Sequence, residues 1–101
     1  MTWVDAAHAS LPNESVVAFE AAGTTIALAK VDGAWHAVET WCTHAECPLS
    51  DGWVEGAAIR CSCHGSLFDL ATGDVLEGPA KEAVRVFPTR VTRDRVEIEV
   101  A

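Results

Sequence analysis

The sequence predicts an all-β fold. Short runs rich in β-favouring residues recur along the chain, turn formers separate them, and no window of ten or more residues shows a convincing helical period. The first predicted strand, residues 15–20 (SVVAFE), ends before Ala22-Gly23, and the second, 24–31, ends at Asp32-Gly33. Asp-Gly between two apolar runs is the strongest hairpin signal in the chain, because both positions of such a turn favour residues that tolerate positive φ. A third strand is predicted over 34–41 and a fourth over 57–61, with Asp51-Gly52 between them. Thr72-Gly73-Asp74 and Gly78-Pro79 mark further turns ahead of a strand over 84–92. The last, 95–100, alternates strictly: Val96, Ile98 and Val100 share one face and charged groups the other, the pattern of a half-buried strand. Only residues 5–10 and 79–83 are weak helical candidates. Evenly spaced short strands point to a sandwich or barrel.

A chain of 101 residues with half of them hydrophobic and 22% charged is expected to form one domain, 1–101, with a modest core. Its longest apolar runs, such as Val16–Phe19 and Ile26–Ala29, fall far short of the roughly 18–20 residues that cross a bilayer. MTWVDAAHAS does not read as a secretory signal, so a cytoplasmic location and no membrane partner are expected. Fifteen acids against seven Lys and Arg give a formal net charge of −8, which repels phosphate backbones and argues against nucleic acid. Residues 31–59 hold five acids and no Lys or Arg, whereas residues 81–95 hold five of the seven bases. Such asymmetry serves solubility, or steering toward a basic face on a partner.

All four cysteines and two of the four histidines fall within residues 42–69, in two runs, CTH and CSCH. Thiolates and imidazoles at short fixed spacing point to a metal before they point to catalysis. Three readings compete. A zinc ion could take Cys42, His44 or Cys47, Cys61, and Cys63 or His64; a [2Fe–2S] cluster could take two Cys and two His; or the cysteines could form two disulfides. Cys42-x-His44 and Cys61-x-x-His64 each supply one thiolate and one imidazole, so each run is half a site. Zinc fingers pair like ligands and follow with a helix, and a purely disulfide scaffold leaves both histidines unexplained.

The segment resembles the Rieske [2Fe–2S] domain, whose CxH…CxxH signature it carries in CTHAECPLSDG and CSCHGSLFD, with TGDVLEGPAKEAVRVFP continuing in the manner of Rieske ferredoxins. The resemblance implies an antiparallel β-sandwich or barrel with two cluster-binding loops at one end, and one [2Fe–2S] cluster per chain. Cys42 and Cys61 would bind one iron, and His44 and His64 the other, which would lie nearer the surface. Neutral imidazoles in place of two thiolates leave an oxidised core without net charge, and an added electron is then held more readily than in an all-cysteine cluster. In respiratory-complex Rieske proteins the cysteines matching Cys47 and Cys63 form a disulfide between the loops, and the same is implied here. Many dioxygenase ferredoxins lack this pair. Ser66 stands where respiratory proteins donate a hydroxyl to a cluster sulfide, which with the cysteine pair leans toward a higher potential; Phe68 stands where they carry a tyrosine, so one potential-raising donor is missing and an intermediate or low potential is expected.

Gly65, Gly78 and Pro79 are expected to shape the loops, the last two as a third loop capping the cluster. Trp35, Trp41 and Trp53 could shield the cluster or pave a docking face, although buried packing is the commoner fate of tryptophan. His8 and His36 lack partners at ligand spacing. No dinucleotide fingerprint, P-loop or nucleophile–base pair appears, so the chain is expected to be no enzyme by itself. The resemblance implies a monomeric one-electron carrier between a flavin-dependent, NAD(P)H-consuming ferredoxin reductase and a terminal oxygenase that acts on aromatic compounds. The rivals are a small subunit of another redox enzyme such as nitrite reductase, and a structural or sensory metal module.

Overall fold

The segment Thr24–Val31 is buried along most of its length on both faces, and the fold is assembled around it. The computed structural model describes residues 2–6, 11–21, 23–41, 47–63, 65–92 and 95–100. Along these run the strands β1 (Thr2–Asp5), β2 (Ser15–Ala21), β3 (Thr24–Val31), β4 (Ala34–Glu39), β5 (Trp53–Glu55), β6 (Ala58–Arg60), β7 (Leu67–Asp69), β8 (Val75–Glu77), β9 (Val86–Phe87), β10 (Thr89–Thr92) and β11 (Arg95–Val100). One 3-10 turn, Leu49–Asp51, precedes β5. Among the described residues no helix is long and apolar enough to cross a membrane.

The strands form three antiparallel sheets, in the orders β1-β11-β10, β2-β3-β4-β9 and β5-β6-β7-β8. The second sheet is the shared wall. Ile26 and Leu28 face a core with Ala37, Phe87, Val96, Ile98 and Val100, while Ala27, Ala29 and Val31 face another with Leu49, Ile59, Cys61, Phe68 and Leu70. Because successive strand residues point to opposite faces, β3 serves both cores with one run, large side chains on one side and mostly alanines on the other.

The β3–β4 hairpin turns at Asp32 (φ 49°) and Gly33 (φ 81°), the double left-handed conformation that matches strand twist and that Asp-Gly adopts readily. The Asn13 side-chain oxygen accepts from the Gly33 N–H at 2.8 Å, tying this turn to the segment before β2.

Several expectations need correction. Residues 5–10 do not begin a helix: Asp5 ends β1 opposite Glu97, and the Ala6 N–H continues the ladder to the Val96 carbonyl at 2.7 Å, while 7–10 lie outside the described residues. Residues 79–83 are irregular rather than helical. The strand expected over 84–92 is two strands. β9 pairs with β4 in the central sheet, β10 pairs with β11 in the first sheet, and Pro88 stands between them. A proline has no N–H for a ladder, and here only its carbonyl is used, accepting from Glu99 at 2.9 Å while the chain changes sheets. The strand expected over 34–41 stops at Glu39, and the one over 57–61 narrows to Ala58–Arg60. β1, β5, β7 and β8 lie outside the predicted strands.

Leu28 is fully buried between the first and central sheets. Leu28→Ala should lower the free energy of unfolding by about 2–5 kcal/mol, read as a reduced midpoint with unchanged slope in a guanidinium titration.

Candidate metal centre

Two loops are built on the β5–β8 sheet and on the end of β4. The first is closed at its base by antiparallel bridging of Trp41 with Pro48 and by hydrogen bonds from the Leu49 N–H to the Thr40 carbonyl and from the Ser50 N–H to Thr40 Oγ1 at 3.2 Å. Thr40 is fully buried, and its hydroxyl also reaches Ser50 Oγ at 3.2 Å. The second loop leaves β6 at Cys61 and returns to β7 at Ser66: the Cys61 N–H donates to the Ser66 carbonyl at 2.8 Å and the Gly65 N–H to the Cys61 carbonyl at 3.2 Å. Gly65 has φ 78° and only the tip of Arg60 near its missing Cβ, so among the described residues its backbone conformation, rather than crowding, calls for glycine.

A disulfide joins the loops. Cys47 and Cys63 are bonded with their Cα atoms 6.3 Å apart. Cys61 is a free thiol, 1% exposed, packed in the core beside Ile59, Phe68 and Ala80. The sulfurs of Cys47, Cys61 and Cys63 all lie within 4.8 Å of one another, but with two of them bonded together only Cys61 of the three can offer a thiolate. The zinc sets that used Cys47 or Cys63 are thereby removed. Cys42, His44 and His64 lie outside the described residues, as does His8. His36 sits within β4 opposite Ala29.

A third loop meets the second. The peptide Gly78–Pro79 is cis, and the Ala80 N–H donates to Ser66 Oγ at 3.0 Å in a buried contact. The Ser66 hydroxyl thus accepts from the capping loop and keeps its own proton to donate. Phe68 is fully buried and has no hydroxyl to direct at a sulfur.

Beyond the core, Arg60 and Glu55 form a double hydrogen bond, Nε to Oε2 at 2.6 Å and Nη2 to Oε1 at 3.0 Å, and the Trp53 indole N–H adds a third to Oε2 at 2.6 Å. The bonds from Arg60 and then Trp53 hold the Glu55 carboxyl below the usual carboxylate range, and the Glu55 bond pushes the guanidinium pKa up. Arg60 also reaches Glu77 at 3.4 Å and the Gly65 carbonyl at 2.6 Å. This network escaped the sequence reading, although one signal was countable: Arg60 is the only Lys or Arg between Lys30 and Lys81. The expected burial of tryptophan holds only in part. Trp35 is half-buried, whereas Trp41 and Trp53 are each 48% exposed, since one ends the β4 segment at the first loop and the other faces outward from an edge strand.

Residues 2–88 match the family model of the Rieske [2Fe-2S] domain. The chain belongs to the Rieske [2Fe–2S] family. Its cofactor is a [2Fe–2S] cluster. The Rieske chain is 33% identical over 100 residues, 98% of its own length and 96% of the relative's, to the ferredoxin component of the naphthalene 1,2-dioxygenase system of Pseudomonas aeruginosa. Among solved structures it is similar to the ferredoxin of carbazole 1,9a-dioxygenase from Nocardioides aromaticivorans IC177, with a TM-score of 0.93 at 25% identity and 97% of each chain covered. It also matches a chain in a complex of reduced oxygenase and oxidized ferredoxin in carbazole 1,9a-dioxygenase, with a TM-score of 0.90 at 28% identity, covering 95% of this chain and 91% of that one.

The residues present fit the cluster. A buried, unoxidised Cys61 sits beside a cross-link that fixes one loop against the other, and the remaining sulfur chemistry of the described site is spent in that cross-link. Replacing Cys47 and Cys63 together by Ser reopens a link across a sequence separation of 16 and should lower stability by roughly 3 kcal/mol in denaturant titrations, with faster cluster loss. Ser66→Ala removes the acceptor for the buried Ala80 N–H and should lower stability by about 1–3 kcal/mol in the same measurement.

Proposed function

We propose that Cys42 and Cys61 hold one iron of the cluster and His44 and His64 the other, and that the chain, as one Rieske domain over 1–101, is a monomeric one-electron carrier. It takes electrons from an NAD(P)H-dependent flavin reductase and passes them to a terminal non-haem iron oxygenase of aromatic compound degradation, in the cytoplasm.

One observation carries the ligand assignment. Of four cysteines, two are consumed in the Cys47–Cys63 bond, so a four-thiolate cage is out of reach and two non-cysteine donors are required. His44 and His64 are the histidines inside the two runs, two residues after Cys42 and three after Cys61. When bound, the cluster supplies reversible one-electron chemistry. The protein supplies the rest: it keeps water from Cys61 with a core of Ile59, Phe68, Leu70 and Ala80, fixes the distance between the loops, and holds the Cys61 and Ser66 backbones by direct hydrogen bonds. Such rigidity suits a carrier, because a site that barely rearranges exchanges electrons with little reorganisation. The ferredoxin relatives, and the structure pairing a ferredoxin with its oxygenase, support the carrier role and the class of partner.

Purified chain with iron and sulfide should show the visible absorption and reduced-state paramagnetic spectrum of a mixed Cys/His cluster, and His64→Ala should lose it. Full retention in that variant defeats the ligand assignment. Reduction by a flavin reductase followed by reoxidation on adding a Rieske oxygenase supports the carrier role. Reduction without transfer to any oxygenase, with stable co-purification in a larger redox enzyme, would instead make the chain a resident subunit.

A further inference from the structure

We infer that Arg60 is a positioning residue for the cluster, closing a staple around the second ligand run and setting the local charge; this rests on the ligand assignment above. The run Cys61–His64 is flanked by Arg60 and Gly65, and those two flanking residues are bonded to each other, Nη1 to carbonyl oxygen at 2.6 Å. The bond therefore spans the ligand stretch from the residue just before it to the residue just after it. Alternation along β6 sends Ile59 and Cys61 into the core and Arg60 to the outer face, where Leu67 of β7 is its register partner.

The guanidinium is not free to wander. Glu55 on β5 grips it through both carboxylate oxygens, and Glu77, at the end of β8 and the root of the Gly78–Pro79 loop, accepts from the same Nη2 at 3.4 Å. Three parts of the sheet thus converge on one side chain. A charged donor held in a fixed fork makes a stronger and more directional bond to a carbonyl than a neutral one. Lysine could keep the charge near Glu55, but a single ammonium on a flexible stem cannot reproduce the planar fork that meets Glu55 with two nitrogens while a third reaches Gly65.

Charge gives a second, separable effect. Residues 31–80 contain both ligand runs, eight acids (Asp32, Glu39, Glu46, Asp51, Glu55, Asp69, Asp74 and Glu77) and one base, Arg60. The sole positive side chain of that span adjoins a ligand. It opposes the repulsion that an added electron meets from the surrounding carboxylates. Geometry and charge can be uncoupled by two substitutions.

The experiment uses reconstituted holo-protein. Arg60→Lys and Arg60→Met should both lose the cluster about tenfold faster than the wild type when followed by absorbance under chelator, since both break the staple. The midpoint potential should fall in Arg60→Met and stay near the wild-type value in Arg60→Lys. Glu77→Gln, which touches only the longest contact, should retain the cluster at the wild-type rate, and far-UV circular dichroism should show each variant folded. Wild-type rates of loss in both Arg60 variants overturn the staple, and an equal potential in Arg60→Met overturns the charge role. If the wild type itself shows no mixed Cys/His spectrum, the underlying ligand assignment fails instead. Should Arg60→Met fail to fold, Arg60→Lys alone decides the staple, and Glu55→Gln with Glu77→Gln, which removes two negative charges, should raise the potential if the field argument holds.

Discussion

One covalent bond between two loops is the constraint on which the site depends. The segments around Cys47 and Cys63 enter and leave the β5–β6 hairpin at its open end, and the bond between their sulfurs sets how far apart the loops stand. It also decides the chemistry by subtraction. Two sulfurs are withdrawn from ligation, and the buried free thiol of Cys61 remains close beside them. Every other feature of the site supports this arrangement: Thr40 fastens the base of the first loop, Ser66 fastens the third loop to the second, and Arg60 fastens the far side.

The three sheets divide the labour. The first two, packed around Ile26, Leu28, Phe87, Val96 and Ile98, make a core with no cysteine in it among the described residues. The third is too short-stranded to stand by itself and leans on the alanine face of β3, where Ala27 and Ala29 leave room for Phe68, Leu70 and Leu49. Small residues there allow close approach of the sheet that carries the loops.

Much of this was legible in the sequence, and the boundary has physical causes. β2, β3, β4 and β11 are long enough for alternation or apolar runs to register, and Asp32-Gly33 has a turn chemistry of its own. β5, β7 and β8 have three residues each, too few for any period, and exist because hairpin closure and the inner core hold them. The split at Pro88 depends on which partner lies beside each half, a tertiary fact. At the site, the CxH and CxxH spacing announced a metal centre, whereas the Cys47–Cys63 bond came only through family resemblance and the Arg60 network not at all. A side chain that bridges Glu55, Glu77 and a backbone carbonyl leaves no local pattern, since its partners are brought together by strand pairing.

The change of sheets at Pro88 has a consequence for how the molecule comes apart. Within a few residues the chain contributes Phe87 to the central sheet and Thr89 to the first, while β3 lines both interiors. Each interior has an outer sheet of its own, but both lean on the central sheet, so neither can lose that wall and leave the other intact. Loss of order in that shared sheet would be felt at the iron-bearing end, which favours cooperative unfolding over independent opening of the two cores.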